Sequence, residues 1–222
     1  VLDVNDVSVD SVAVLKAGGA AAISMATAGT EPLILTGSNF GLVGASPAPA
    51  IRVRYGDFGA GGKNGATIFT ATGCALTSYT NSSYGRIECK TAAGVGANHR
   101  FELTVGGAVA ISVASTALSY EAPKITAVGP TATAAALPTA GGAKIVIDGE
   151  NFGPLSNSSN NNPVSAEYGG FSAEACRVTV ADSRIECTAA AGTGRGLVLT
   201  VTVGSVRSAA QAATISYGAP SI

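Results

Sequence analysis

Tryptophan is absent from this 222-residue chain, histidine and methionine occur once each, and aromatic residues make up only 5%. Sugar-binding platforms are commonly built on exposed aromatic faces, and this composition leaves little material for one. Charge is equally scarce. Charged residues are 12% of the chain, about half the usual share, with 13 basic against 14 acidic side chains and a net charge of −1. That balance excludes the broad electrostatic grip by which proteins hold nucleic acid or anionic membrane. Apolar residues reach 46%, yet no apolar run is long enough to span a bilayer. A surface this poor in charge invites association, so neighbouring chains, glycans or both are expected to cover it.

The residues needed for catalysis are also missing as a constellation. His99 stands in a Gly-Ala-Asn-His-Arg context and is expected to be a solvated turn residue. The glycine-rich stretch 59–62 has no Lys-Ser/Thr after it, so it is no phosphate cradle. Glu88 and Glu186 recur at matching places, each two residues after an arginine, and read as strand-face ion pairs rather than an acid–base pair. The chain is expected to be non-enzymatic.

What is present is one sentence written twice. Leu33-Ile34-Leu35-Thr36-Gly37-Ser38-Asn39-Phe40-Gly41 returns as Ile145-Val146-Ile147-Asp148-Gly149-Glu150-Asn151-Phe152-Gly153. Tyr55-Gly56 and Tyr168-Gly169 follow, then Cys74 and Cys176, then Arg-Ile-Glu-Cys ending at Cys89 and Cys187. Each copy closes on Ser-Tyr-x-Ala-Pro-x-Ile, at Ser119–Ile125 and Ser216–Ile222. A spacing of 98 residues (Cys89 to Cys187, 187 − 89) is too long for a solenoid turn and fits tandem domains of one type. Short apolar and β-branched runs bounded by Gly, Pro, Asn or Ser alternate like strands, and many such runs point to all-β sandwiches. Residues 131–137, bracketed by Pro130 and Pro138, are expected to form a loop or one short turn. In Asn-Phe-Gly, Asn tolerates a turn, Phe anchors it in the core, and the glycine accepts a positive φ. Tyr120 and Tyr217 are expected to pack at the domain ends with their hydroxyls on polar partners.

The four cysteines allow three connectivities. Pairing Cys74 with Cys89 and Cys176 with Cys187 would join neighbouring strands within each copy. A metal site is the alternative, but the spacings are wide and no His accompanies them. Disulfides imply an oxidising, extracellular type of compartment.

The repeated motifs resemble the IPT/TIG domain, an immunoglobulin-like sandwich of plexins, some transcription factors and many extracellular and cell-surface proteins. The resemblance rests on Gly-x-Asn-Phe-Gly, Tyr-Gly, the cysteine pair with Ile-x-Cys, Ala-Gly-x-Gly and Ser-Tyr-x-Ala-Pro, from about residue 12 to the end. It implies two tandem sandwiches, over 12–122 and 123–222, preceded by an extra strand over 1–11. Gly129-Pro130 is the family's usual strand entry, and Lys16-Ala17-Gly18-Gly19 takes that place in the first copy.

Residues 1–10 have no evident counterpart in the second copy and alternate as a strand does. Val1, Leu2, Val4, Val7 and Val9 are therefore candidate polymer contacts by strand addition to a neighbouring subunit, or else this strand folds back on its own domain. Ile222, where the second joint sequence stops, is a candidate for the other end of such a contact. Head-to-tail pairing does not close and would build a filament. Val1 is not an initiator Met, so a processed product or a fragment is expected. Leu2-Asp3-Val4-Asn5-Asp6 also resembles the calcium-binding linker of cadherin repeats, which makes Asp3, Asn5 and Asp6 possible Ca²⁺ ligands, although too few oxygen donors accompany them to fill a site. Asn81-Ser82-Ser83 and Asn157-Ser158-Ser159 are N-glycosylation sequons in polar loops. The matching loop of the first copy, Ser46-Pro47-Ala48-Pro49-Ala50, resembles the hydroxyproline-linked glycosylation motifs of plant and green-algal wall proteins, with Pro47 and Pro49 as the carriers. The expectation is an extracellular, glycosylated structural subunit that assembles with itself. An adhesion or receptor ectodomain that binds a protein or glycan through its loops is the other reading.

Overall fold

The computed structural model describes residues 7–56, 58, 68–81, 84–112, 117–130, 136–156, 163–209 and 214–219. Every regular element among them is a strand, and the chain divides into two compact units, the first up to Ala93 and from Ala97 to Tyr120, the second from Glu121 onward together with Gly94–Gly96. The first unit holds β1 (Ser8–Leu15), β2 (Ala21–Ala22), β3 (Ser24–Met25), β4 (Pro32–Ser38), β5 (Ile51–Gly56) and β6 (Ile68–Thr70). It continues with β7 (Thr72–Asn81), β8 (Tyr84–Lys90), β9 (Arg100–Val105), β10 (Ala108–Ile111) and β11 (Ser119–Tyr120). One sheet runs β2-β1-β4-β8-β7, the other β10-β9-β5-β6, and β11 pairs with β3. The second unit holds β12 (Lys124–Pro130), β13 (Lys144–Glu150), β14 (Val164–Tyr168), β15 (Phe171–Ser172) and β16 (Glu174–Val180). After these come β17 (Arg184–Thr188), β18 (Leu197–Val203), β19 (Val206–Arg207) and β20 (Thr214–Ile215). Its sheets run β12-β13-β17-β16 and β15-β14-β18-β19, with β20 also on β18.

Alternation builds both cores. In β8 the residues Ile87 and Cys89 face inward while Arg86 and Glu88 do not, and in β18 Leu199, Val201 and Val203 are buried in the same rhythm. Each inward aliphatic or aromatic side chain contributes roughly 1.5–3 kcal/mol of burial, so the pattern alone selects the register.

The first strand departs from the sequence-based expectation. Ser8–Leu15 is no extra strand: it pairs with β4 of its own sheet, with Val9 opposite Gly37 and a register shift between Val9 and Ser11. β12 does the same against β13, with Ile125 opposite Gly149 and a shift between Ile125 and Ala127. Ala13 and Val14 therefore occupy the places of Gly129 and Pro130, and Lys16–Gly19 lies beyond them. The strand also runs through the expected boundary at residue 11. It folds back because Val9, Val12 and Val14 all lie in the core cluster of its own unit, where a free strand would leave them in water.

Candidate functional site

The Asn-Phe-Gly turn shows why its residues recur. Asn39 and Asn151 both take φ 63°, in the left-handed region that Asn tolerates, and Gly41 and Gly153 follow at 94° and 76°. Phe40 and Phe152 are buried at 1% and 0% exposure. Each ring lies against the glycine that precedes it in the repeated motif: a Cβ on Gly37 would sit 1.9 Å from the Ser8 carbonyl oxygen and 2.9 Å from Phe40 Cζ. On Gly149 it would sit 2.1 Å from the Lys124 oxygen and 2.4 Å from Phe152 Cζ. The turn thus locks the incoming strand to the sheet, which is a structural task.

The cysteines close within each copy, Cys74 to Cys89 and Cys176 to Cys187, between adjacent strands of one sheet. Both sit where the register shifts, between Thr72 and Ala75 and between Glu174 and Arg177. Gly73 and Ala175, at φ 62° and 48°, turn the chain just before each sulfur. The bonds clamp β7 and β16, the edge strands, onto their neighbours.

The closing tyrosines of each unit take part in a buried hydrogen-bond cluster. The Ala92 amide donates to the Tyr55 hydroxyl at 2.8 Å, Tyr55 lies 2.9 Å from the Tyr120 hydroxyl, and Tyr120 donates to the Ala92 carbonyl at 2.9 Å. One proton per hydroxyl makes this a closed ring in which Tyr55 donates to Tyr120. Ala190, Tyr168 and Tyr217 form the matching cluster: the Ala190 amide donates to the Tyr168 hydroxyl at 3.0 Å, and the Tyr217 hydroxyl lies within donating distance of the Tyr168 hydroxyl at 3.2 Å and of the Ala190 carbonyl at 2.8 Å. Burial pushes the phenols of Tyr55, Tyr120 and Tyr217 up from their ordinary value, so they stay neutral. His99 belongs to this region too. Instead of a solvated turn residue it is buried at 6% exposure, its ring edge-on to Tyr55, Phe69 and Tyr120.

The two recurring glutamates are surface ion pairs. Glu88 meets Arg86 at 2.8 Å, and Glu186 meets Lys144 at 2.8 Å and Arg177 at 3.9 Å. The hydrogen bond from Lys144 holds the Glu186 carboxyl below its ordinary range, opposite to what a general acid needs.

Strand pairing fixes which loops share an end. In the first unit Ser8 lies opposite Ser38, Ser38 opposite Tyr84, Tyr84 opposite Asn81, and Ile51 opposite Val105. The entry pole therefore collects Val7, the 39–50 loop, the paired strand ends at Asn81 and Tyr84, and the 106–107 turn. The exit pole holds the 91–99 loop and Tyr120. Asn81 is the last residue of β7, and on the 39–50 loop Pro47 is exposed and Pro49 half-buried. On that loop Leu42 and Val43 are 66% and 45% exposed, and at the matching place of the second unit Leu155 is 46% exposed. Of the candidate polymer contacts, Val9 is buried at 6% and Val7 packs against the core of its own unit. Val1, Leu2, Val4, Ile222, Asn157, the possible calcium ligands Asp3, Asn5 and Asp6, and the stretches 59–62 and 131–135 lie outside the described residues. Among the described residues, no group of three or more His, Cys, Asp or Glu is placed to hold a metal, and no helix is long and apolar enough to cross a membrane.

Comparison with curated proteins gives no match. Among solved structures, the full extracellular region of plexin A4 is 18% identical over 96% of this chain, with a TM-score of 0.37. A protein titled SGBP-B, from a complex xyloglucan utilization locus in Bacteroides uniformis, is 17% identical over 94%, with a TM-score of 0.32. The chain spans 18% and 49% of those two chains. A profile of the IPT/TIG domain matches residues 22–120 and 123–217, the two units built on the Asn-Phe-Gly turns and the tyrosine rings, and this chain belongs to the IPT/TIG family.

Proposed function

We propose that this chain is a non-enzymatic, extracellular structural protein, the subunit of a glycosylated surface filament or fibre assembled end to end. The observation that carries the reading is modular. Tyr120 closes the core of the first unit and Ile125 opens the core of the second, with only residues 121–124 between them. Val9 and Ile125 hold the same place in their sheets, so one frame follows another without an intervening segment. The two disulfides suit an oxidising exterior, and the titratable groups with perturbed buried environments are tyrosines engaged in holding the ends of the sandwiches. The charge-poor surface supports cover by neighbours and by glycans on Asn81, Asn157, Pro47 and Pro49. β1 pairs with β4 of its own sheet, which favours contact through the poles over strand addition by residues 1–10. Electron microscopy of native, unproteolysed material tests the reading: regular filaments support it, and isolated two-bead particles at native concentration overturn it.

A second reading, an adhesion or receptor module, is favoured by Leu42, Val43 and Leu155, aliphatic side chains exposed at one loop position in both units. A stable monomer that captures a foreign protein or glycan would select it.

A further inference from the structure

A strand at the end of a sheet leaves a row of N–H and C=O groups without partners, and proteins guard such edges with brevity, charge, proline or bulges. Most open edges among the described strands carry a guard of this kind. β2, β3, β11, β15, β19 and β20 are two residues long, and β6 is three. β1 carries Asp10 and a register shift, and β12 carries Lys124, Pro130 and a shift. β16 carries Glu174, Arg177 and two shifts. β7 is uncharged, but its register shifts at three points. β10 differs from all of these. Ala108–Ile111 pairs with β9 in unbroken register, ends its sheet, and holds neither charge nor proline.

The outward backbone groups of β10 follow from its pairing. The Ser112 amide donates to the Phe101 oxygen at 2.7 Å, and hydrogen-bonded pairs alternate along an antiparallel ladder. Ala108 and Ala110 are therefore bonded to β9, while Val109 and Ile111 turn their N–H and C=O groups to the open side. The same two side chains are 58% and 39% exposed. Val109 lies opposite Thr104, and the matching place in the second unit, opposite Thr202, belongs to Arg207. One copy of the frame holds a charge where the other holds a bare aliphatic.

We infer that β10 pairs antiparallel with β10 of a second copy, about a two-fold axis at Ala110. In that register Val109 lies opposite Ile111 of the second copy, so every outward N–H meets an outward C=O. An axis at Val109 would set Ile111 against the Gly106-Gly107 turn, and one at Ile111 would run Val109 past the end of the strand. The strand is thus its own complement. Its β-branched side chains meet across the seam as a favourable cross-strand pair, and it has no charge to repel its own copy. The contact is isologous and closes as a pair. It joins subunits side by side, so it goes beyond end-to-end assembly and does not depend on it.

The test uses the full-length chain. Val109→Arg installs at β10 the residue that stands on the matching strand of the second unit, and two like charges then approach across the axis. Sedimentation velocity is expected to show association weakened about tenfold or more, with the melting temperature of wild type, since the side chain is exposed. At the axis the two Ala110 residues form a non-hydrogen-bonded pair with Cα atoms about 4.5 Å apart, within reach of a disulfide. Ala110→Cys is therefore expected to give disulfide-linked dimers in glutathione buffer much faster than Ile23→Cys, an exposed position outside β10 that measures random collision. Association unchanged in Val109→Arg overturns the β10 contact. Cross-linking no faster in Ala110→Cys than in Ile23→Cys overturns the two-fold register. A wild type that stays monomeric at about 1 mM overturns the inference outright. Side-by-side dimers without filaments support this pairing and count against end-to-end assembly. Filaments that keep their length but lose lateral pairing in Val109→Arg support both.

Discussion

Replacing Tyr55 by Phe removes one oxygen from the tyrosine ring of the first unit, and its cost can be worked from the hydrogen bonds. Tyr55 and Tyr120 are 0% and 2% exposed, so water cannot replace what is lost. Without the Tyr55 oxygen the Ala92 amide has no acceptor, while Tyr120 still donates to the Ala92 carbonyl. Stranding one amide costs about 2 kcal/mol. Tyr120→Phe is milder. Tyr55 keeps the Ala92 amide, and its own proton turns to the Ala92 carbonyl, already 3.4 Å away. The loss is then that of one ordinary hydrogen bond, about 1 kcal/mol. Differential scanning calorimetry of the full chain, with disulfides intact, reads both. In a domain of this size, about 2 kcal/mol lowers the first unit's transition by roughly 10 °C, and Tyr120→Phe by about half that. A Tyr120→Phe cost equal to or above that of Tyr55→Phe would refute the assigned direction of the ring.

The same pair makes alkaline stability a second readout. Burial raises both phenols above 10.0 in the folded state only, so their contribution is fully present below pH 10 and is lost as the pH rises further, when the unfolded chain ionises first. Urea titrations should show stability flat up to about pH 10 and then falling by about 1.4 kcal/mol per pH unit for each tyrosine, with one slope removed by Tyr120→Phe. Gly37→Ala and Gly149→Ala place a methyl against the backbone oxygens of Ser8 and Lys124, and each should cost about 3 kcal/mol, read as a lowered melting temperature of the affected unit. Converting Cys74 and Cys89 together to Ala opens a loop with a sequence separation of 15 and should cost about 3 kcal/mol, and the Cys176–Cys187 pair, separated by 11, slightly less. A melting temperature unmoved by either double substitution would show that β7 and β16 hold without their clamps.

The frame of each sandwich was legible because it is carried by residue identity. Asn39, Phe40 and Gly41 each do at the turn what their chemistry suggests, and so do Asn151, Phe152 and Gly153. The first strand was not legible. Ser8–Leu15 and Lys124–Pro130 share register, bulge and inward positions, but in aligned places only Val12 and Val128 are identical. Alternation marked the strand and could not say which sheet would take it. Gly37 and Gly149 matter through a carbonyl more than twenty residues away in sequence, a contact that no local pattern encodes. His99 misled for a similar reason, because Gly, Ala and Asn around it suggested solvent, whereas Phe69 and Tyr120 bring the walls of its pocket from distant strands.

Pairing geometry ties the glycan and assembly readings together more tightly than the sequence did. Asn81 ends β7 opposite Tyr84, and Tyr84 lies opposite Ser38, which lies opposite Ser8. The β7 strand therefore ends, at Asn81, at the same end of the first sandwich as the loop that carries Pro47, Leu42 and Val43. A branched glycan there and a docked neighbour compete for one surface, and a bulky, hydrated oligosaccharide opposes the burial of Leu42 and Val43. If both readings hold, Asn81→Gln, or enzymatic removal of its glycan, strengthens association of the full chain. Sedimentation velocity before and after deglycosylation decides the point. Weaker association after removal would make the glycan part of the contact, and unchanged association would move the contact away from this pole.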